Sequence, residues 1–241
     1  MRYKLTVCYD GSTYHGFQRQ TNLITIQGEI EKALSSIFFE EIKIASAGRT
    51  DAMVHAVGQV IHFDSDKAIP KENLRRLINK HLYPHIYIKQ VEYVDDTFHA
   101  RISAKAKEYR YLVSLGEFDP FKARYMAFWK KNVDINAIKE GMKYFIGEHD
   151  FKTFSKNKKI TDTVREISEF RLEQKDNLLT FIIIGDGFMH NMVRIMMGVL
   201  RRIGEGKLKP EKVIELLEGQ NRRLAPYTEN PSGLYLYKVY Y

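Results

Sequence analysis

The spacing of apolar residues along the chain predicts an alternation of strands and helices. From Arg2 to Tyr9, polar and apolar side chains alternate with the period of a half-buried strand, which Asp10-Gly11 ends. After Thr25, a predicted N-cap, apolar residues recur at helical spacing through Ile37. The other elements predicted in this half are strands at Ile42 to Ala45, Gln59 to Phe63 and Ile86 to Tyr93, and a helix beginning near Pro70 that carries Leu74, Leu77, Ile78 and Leu82.

A comparable order returns after Lys105. The predicted elements are a strand at Tyr109 to Leu115, a helix capped by Asp134 and ended by Gly147, strands at Arg165 to Leu172 and Leu178 to Ile184, a helix through Met192 and Ile203, a short helix after Pro210, and a strand at Leu234 to Tyr240. A loop from Gly116 to Lys131 is predicted to connect the halves. We expect an α+β protein in which residues 1–104 and 105–241 form two ferredoxin-like halves. Their mainly antiparallel sheets are expected to join into one, with helices on one face and a central cleft for a ligand.

The composition favours a folded protein that binds polyanions. At 241 residues, with 44% hydrophobic residues, the chain can bury a core. Lys and Arg number 38 against 30 Asp and Glu, and the net charge of +8 favours nucleic acid as a partner, with a merely solubilising surface as the alternative. Cys8 is the only cysteine, so an internal disulfide and a cysteine-ligated zinc are excluded. Since no signal pattern and no apolar run of about 20 residues is present, we expect a cytoplasmic protein with no membrane association.

The segment from Ala47 to Ala56 is the most informative stretch for chemistry. It places Arg49, Asp51 and His55 in a loop between two predicted strands, where a rigid scaffold commonly presents reactive groups. Taken alone, Asp51 is more often a turn or cap side chain. A carboxylate can serve as a covalent nucleophile when it stays ionised, and a neighbouring guanidinium favours the ionised form.

The same segment resembles the signature G-R-T-D-A-G-V-H of the tRNA pseudouridine synthase A family. Gly48 to His55 match it at every position but Met53, which stands where the family has glycine. Similarity to the family runs the length of the chain. It is carried by Tyr9-Asp10-Gly11 with Tyr14, Gly16-Phe17-Gln18-Arg19-Gln20, Gln27-Gly28, Gly58-Gln59-Val60, Phe98-His99-Ala100-Arg101, Tyr109-Arg110-Tyr111, Gly147 to Phe151, Phe188 to Arg194 and Gly233 to Leu236.

The resemblance implies a pseudouridine synthase fold and an isomerase that needs neither cofactor nor metal. Asp51 matches the catalytic aspartate, which attacks the target uridine so that the base detaches, rotates and rejoins the ribose through C5. Addition to C6 of the base and to C1′ of the ribose are both compatible with this role. Arg49 and Arg194 match positions beside that aspartate, Tyr109 matches a tyrosine that stacks on the target base, and Leu234 matches an apolar residue of the same pocket.

The resemblance also implies the substrate, which is uridine 38, 39 or 40 in the anticodon stem-loop of tRNA, bound by a homodimer. The target nucleotide must leave its stem to reach a carboxylate, so basic residues have to hold the flanking RNA. The candidates are Arg19, Arg101, Lys105, Lys107, Arg110 and the run from Lys156 to Lys159. Each of them fits a solvated surface charge equally well.

Two departures from the family motifs bear on the loop. If the family glycine at position 53 is needed for a positive φ or for close approach of RNA, Met53 would be strained or would intrude. Phe17 replaces the usual tryptophan and keeps an aromatic surface. The alternatives that stay open are a paralogue that modifies another RNA site, a non-catalytic tRNA-binding chaperone of the same fold, and a general polyanion-binding scaffold.

Two further patterns are weak. Gly185 to His190, followed by Glu205, imitates a dinucleotide-binding fingerprint, but His190 occupies the third glycine position. His55, His62 and His99 with Asp51 suggest a metal site, but none of them shows the i, i+4 helical pairing of zinc hydrolases.

Overall fold

The computed structural model describes residues 1–157 and 159–241. The strands in chain order are β1 (Arg2–Tyr9), β2 (Ala45–Ser46), β3 (His55–Asp64), β4 (Ile86–Val94), β5 (Ala106–Ser114), β6 (Ala127–Phe128), β7 (Gly147–Asp150), β8 (Val164–Lys175), β9 (Leu178–Gly185) and β10 (Leu234–Tyr240). The helices are α1 (Ile26–Phe38), α2 (Lys71–Leu82), α3 (Ile135–Lys143), α4 (Met192–Gly204) and α5 (Lys212–Glu218).

The chain forms two compact units, the first of which is Met1–Lys105 together with Tyr235–Tyr241. In it, β1 lies between β3 and β4 and is antiparallel to both. β2 pairs antiparallel with β3, and β10 runs parallel to β3 through Tyr235 and Leu236. The predicted order β-α-β-β-α-β is therefore present in this unit.

The core of the first unit follows from the alternation in β1. Tyr3, Leu5 and Val7 are fully buried, and each such side chain contributes about 2 kcal/mol by leaving water. The ring of Tyr3 stacks on Phe63 of β3 at 4.9 Å between centroids and meets Phe38 of α1 edge-on at 5.8 Å. This packing fixes α1 against the sheet that carries the loop after β2.

In the second unit, Ala106–Leu234, the strands are also mainly antiparallel. Its strand order is β5-β9-β8-β7, with the short β6 parallel to β5. The predicted caps are confirmed in both units, since Thr25 Oγ1 accepts from the Gly28 amide at 3.3 Å and Asp134 Oδ1 accepts from the Ala137 amide at 2.9 Å. The α+β class with mainly antiparallel sheets is also confirmed.

Several predicted boundaries are wrong. The strand predicted at Ile42 to Ala45 is only Ala45–Ser46, and β3 begins at His55 rather than Gln59, so the loop between them spans 47–54. Gly147 does not end α3, which stops at Lys143; with φ at +104° it opens β7.

Two other expectations also need correction. The segment 116–131, predicted to connect the halves, lies inside the second unit and contains β6. Leu77, assigned to the buried face of α2, is 42% exposed. No helix among residues 1–157 and 159–241 is long and apolar enough to cross a membrane.

Candidate active site

The loop 47–54 of the first unit is held at its entry by the strand that follows it. The amide of Ala47 donates to the Val60 oxygen at 2.8 Å. The Gly48 oxygen accepts from Ser46 Oγ at 3.1 Å and from the side-chain amide of Gln59 at 2.9 Å. Gln59 is completely buried, so the point at which the chain enters the loop is fixed from inside the sheet.

The middle of the loop is anchored through Thr50, which is buried. Its hydroxyl lies 2.8 Å from the Tyr9 hydroxyl, and its backbone oxygen accepts from the Phe17 amide at 3.0 Å. Burial raises the pKa of the Tyr9 phenol well above its usual range, so this hydroxyl keeps its proton. On either side of the buried Thr50, Arg49 is exposed and Asp51 is half-buried.

Gly16 closes the loop from its other side. An added Cβ there would lie 3.0 Å from the Thr50 oxygen and 3.2 Å from both the Ala52 nitrogen and the Asp51 carbonyl carbon. The φ of Gly16 is +90°, a conformation that side-chain-bearing residues rarely adopt. Both features require glycine, and together they bring the segment before α1 into contact with the backbone of Asp51.

Met53 lies in a tight turn that begins at Asp51. The Val54 amide donates to the Asp51 oxygen at 3.2 Å, and the φ of Met53 is +64°. A positive φ at the third position of a four-residue turn is the requirement of a type II turn, which favours glycine. The need for a positive φ at this position, considered from the sequence, is therefore confirmed, and Met53 adopts it with its side chain 42% exposed.

His55, the last residue of the motif, is buried at the start of β3. Its Nδ1 lies 3.2 Å from the Gly11 amide and 3.3 Å from Asp10 Oδ1. A ring nitrogen carries either a lone pair or a proton, so only one of these contacts is a hydrogen bond in each protonation state. The imidazole stacks on Tyr235 of β10 at 4.7 Å between centroids. His55 thus fixes the exit of the loop.

The other residues matched to the family site, Tyr109, Arg194 and Leu234, belong to the second unit. Tyr109 is buried in β5, and its ring meets Phe188 edge-on at 4.9 Å between centroids. Leu234 is buried at the start of β10. Arg194 is half-buried in the first turn of α4, where its Nε donates to the Glu229 oxygen at 2.8 Å.

Two of the predicted RNA-binding residues are paired with carboxylates. Arg19 lies 3.3 Å from Glu31, and Arg110 lies 2.8 Å from Glu108. Arg101 and Lys105 are exposed, and Lys107 is half-buried.

Of the basic run at 156–159, Lys156 and Lys159 are exposed, and Lys158 lies outside the described residues. Among the residues that are described, no group of three or more His, Cys, Asp or Glu side chains is placed to hold a metal ion.

Some residues that shape the site were not singled out from the sequence. Gln59, Tyr9 and Gly16 occur in matched motifs, but nothing in their residue types indicates that they support the loop. Glu229 lies outside every matched motif, and its contact with Arg194 joins residues 35 positions apart. No local pattern could have revealed it.

Comparisons with known proteins agree with the motif. A sequence model of the family described as tRNA pseudouridine synthase matches residues 5–102 and 142–241. A protein of Exiguobacterium sp. named tRNA pseudouridine synthase A is 44% identical over 241 residues, which cover 100% of this chain and 98% of that protein. A protein of the same name from Anoxybacillus flavithermus is 41% identical, with coverage of 100% and 98%.

The similarity to solved structures is much weaker than the similarity to these sequences. One chain from a structure of an H/ACA ribonucleoprotein bound to a substrate RNA matches with a TM-score of 0.39 and 14% identity, over 83% of this chain and 44% of the other.

Proposed function

The chain belongs to the tRNA pseudouridine synthase family, whose members are isomerases, and we propose that it converts uridine to pseudouridine at positions 38, 39 and 40 in the anticodon stem-loop of tRNA. The observation that carries the proposal is the loop 47–54, which presents the half-buried carboxylate of Asp51 from a backbone pinned at its entry, middle and exit. A preorganised nucleophile loses little conformational freedom when it attacks.

In this mechanism Asp51 is the nucleophile. The uridine is extruded from its stem, since a carboxylate cannot reach a stacked base. The ionised carboxylate adds to the nucleoside, the glycosidic C–N bond breaks, and the base rotates and bonds to the ribose through C5. Loss of the C5 proton, gain of a proton at N1 and release of the Asp51 carboxylate complete an isomerisation that consumes no second substrate.

The remaining site residues bind the substrate. Tyr109 stacks on the target base and assists removal of the C5 proton. Arg49 pairs with the carboxylate of Asp51, and Arg194 holds RNA phosphate or the flipped nucleotide, because a guanidinium suits both partners. Leu234 supplies an apolar wall. The flanking RNA is bound by Arg19, Arg101, Lys105, Lys107 and Arg110.

We further propose that the protein acts in the cytoplasm as a homodimer. Sedimentation at twice the mass of the 28.3 kDa chain supports the dimer, and sedimentation at the single-chain mass refutes it.

Asp51→Asn tests the catalytic role, because the amide keeps the shape of the side chain and removes its charge. We expect product formation on unmodified tRNA to fall by at least about 1,000-fold. Binding of tRNA should stay within about twofold. Pseudouridine is mapped at nucleotide resolution, so the same assay tests positions 38, 39 and 40.

The control is Asp66→Asn, an exposed carboxylate away from the loop that should leave activity unchanged. Turnover retained by Asp51→Asn contradicts the nucleophile. A wild-type chain that binds tRNA and forms no product supports a chaperone instead.

A further inference from the structure

The segment 225–230 of the second unit contacts Arg194 through its backbone. Arg194 Nε donates to the Glu229 oxygen at 2.8 Å, and the Glu229 amide donates to the Arg194 oxygen at 3.0 Å. Because a guanidinium is planar, a hydrogen bond at Nε fixes the plane in which both Nη atoms lie. The backbone at Glu229 therefore sets the orientation of the Arg194 side chain.

The segment 225–230 lies close to α4 because position 198 is glycine. A Cβ added at Gly198 would be 2.9 Å from Tyr227 Cβ and 3.0 Å from the Tyr227 carbonyl carbon. Two arginines secure the same stretch, since Arg222 Nη2 donates to Thr228 Oγ1 at 2.9 Å and the Arg202 guanidinium lies 5.1 Å from the centre of the Tyr227 ring. The backbone bonds at Glu229 depend on this close approach.

The side chain of Glu229 is the inner anchor of the segment. It is buried, and its two oxygens accept from Trp129 Nε1 at 3.2 Å and from Arg201 Nη1 at 3.3 Å. Hydrogen bonds to a buried carboxylate hold it firmly, because leaving it unsatisfied is costly. One residue thus carries both the anchor and the carbonyl that orients Arg194.

We propose that Glu229 is a positioning residue for the isomerisation: its anchored carboxylate holds the segment 225–230 in place, and its backbone oxygen fixes the plane of the Arg194 guanidinium for the RNA substrate. The inference rests on the proposed function, which gives Arg194 its contact with the RNA substrate. In this proposal Glu229 acts only through Arg194.

A double-mutant cycle tests this role with the full chain and unmodified tRNA. Glu229→Ala should lower the single-turnover rate by about 10- to 100-fold, the range expected for a misplaced binding group, while the dissociation constant for tRNA changes less than about twofold. In an Arg194→Lys background, where the Nε donor is already lost, Glu229→Ala should cause no further decrease. Glu229→Gln, which keeps an acceptor for Trp129, should fall between wild type and Glu229→Ala.

The matched control is Glu205→Gln. Glu205 is the other carboxylate paired with Arg201, at 3.0 Å, and its replacement leaves the backbone bonds of Glu229 in place. Its rate should stay within about twofold of wild type, because the amide oxygen of glutamine still accepts a hydrogen bond from Arg201. A loss as large as that of Glu229→Ala, or equal effects of Glu229→Ala in the wild-type and Arg194→Lys backgrounds, would overturn the proposal.

A second measurement does not depend on turnover or on the folding of Glu229→Ala. Trp129 is the only tryptophan of the chain, and its indole donates to Glu229. Binding of tRNA should shift its fluorescence in the wild type and in Glu205→Gln, and not in Arg194→Lys. A shift that survives Arg194→Lys, or is missing in the wild type, contradicts the coupling. If the wild type is inactive on tRNA, the proposed function is refuted. If the wild type is active but the effects of Glu229→Ala and Arg194→Lys on the rate are additive, only the role of Glu229 is refuted.

Discussion

The loop around Asp51 and the segment beside Arg194 hold their candidate site residues in different ways. The loop 47–54 depends on backbone amides, neutral side chains and a glycine contact. The segment 225–230 depends on charged anchors, chiefly Glu229 with Arg201 and Arg222 with Thr228. A nucleophile needs a fixed position, whereas a guanidinium also needs a fixed plane. The comparison shows that neutral contacts and charged anchors can both hold a site residue, and that both regions use partners distant in sequence: 41 positions separate Tyr9 from Thr50, and 35 separate Arg194 from Glu229.

Among the variants that test this comparison, Gly16→Ala should have the largest effect, because it disturbs the backbone contacts of the loop 47–54. The new Cβ meets backbone 3.0 Å away at a φ of +90°, so the loop must move or the fold must carry the strain. We expect a loss of about 2 kcal/mol in the free energy of unfolding and at least about a 100-fold drop in activity. Urea unfolding and single-turnover kinetics measure the two effects.

Gly206→Ala is the control for Gly16→Ala. Gly206 also has a positive φ, +71°, but no atom lies within 4 Å of the added Cβ. It should lose about 1 kcal/mol of stability with unchanged activity. Equal losses of activity in the two variants would show that backbone strain, and not contact with the loop, is responsible.

Tyr9→Phe should have an intermediate effect, because it leaves the buried Thr50 hydroxyl without its partner at 2.8 Å. We expect about 1 to 2 kcal/mol lower stability at neutral pH. Burial raises the pKa of Tyr9, so the folded state retains a proton that the unfolded chain releases above about pH 10. The stability from this proton is present below pH 10 and lost as the pH rises further.

Measuring the free energy of unfolding at pH 8 and at pH 11 tests whether stability falls with rising pH as expected. The fall in stability between the two pH values should be smaller in Tyr9→Phe than in the wild type. Tyr83→Phe, at a tyrosine that is 82% exposed, should behave as the wild type. An unchanged fall in Tyr9→Phe would show that the phenol does not contribute.

Met53→Gly should have the smallest effect on stability and activity, and it tests whether the side chain at position 53 contributes to the loop. Glycine at a left-handed position removes backbone strain, which raises the free energy of unfolding by about 1 to 2 kcal/mol. Its greater conformational freedom in the unfolded chain lowers the free energy of unfolding by about 0.5 to 1 kcal/mol. We expect a net gain of about 0.5 kcal/mol in urea unfolding and no change in activity. Phe39→Gly, at an 88% exposed residue with a φ of +52°, should gain as much. A drop in activity confined to Met53→Gly would indicate that the methionine side chain contacts RNA.

The features that could be predicted from the sequence are those determined by residues close together in the chain. The α+β order and the caps at Thr25 and Asp134 each depend on a short stretch of chain, and each is confirmed. A positive φ at Met53 is one of two conditions considered from the family glycine, and the structure shows it. The assignment of roles to Asp51 and Arg49 stays a prediction, since it came from the family motif.

What the sequence could not predict depends on distant partners. Ile42 and Ile44 look like a strand because they are apolar, but their amides donate to Ser35 Oγ and Glu31 Oε1 of α1 and not to a neighbouring strand. Gly147 looks like a helix stop because glycine commonly ends helices, yet its positive φ serves entry into β7. In both cases the residue type suggested an ordinary local role, but the surrounding structure determines a different one.

The return of Tyr235–Tyr241 to the first unit has a consequence for how the protein is made. His55 stacks on Tyr235, and the Lys105 amide donates to the Tyr240 oxygen, so these contacts join residues separated by the whole second unit. A ribosome must therefore translate residues 106–234 before the exit of the Asp51 loop can be secured. The nascent chain carries Asp51, the proposed nucleophile, early, but the contact of His55 with Tyr235 forms only after β10 has been made.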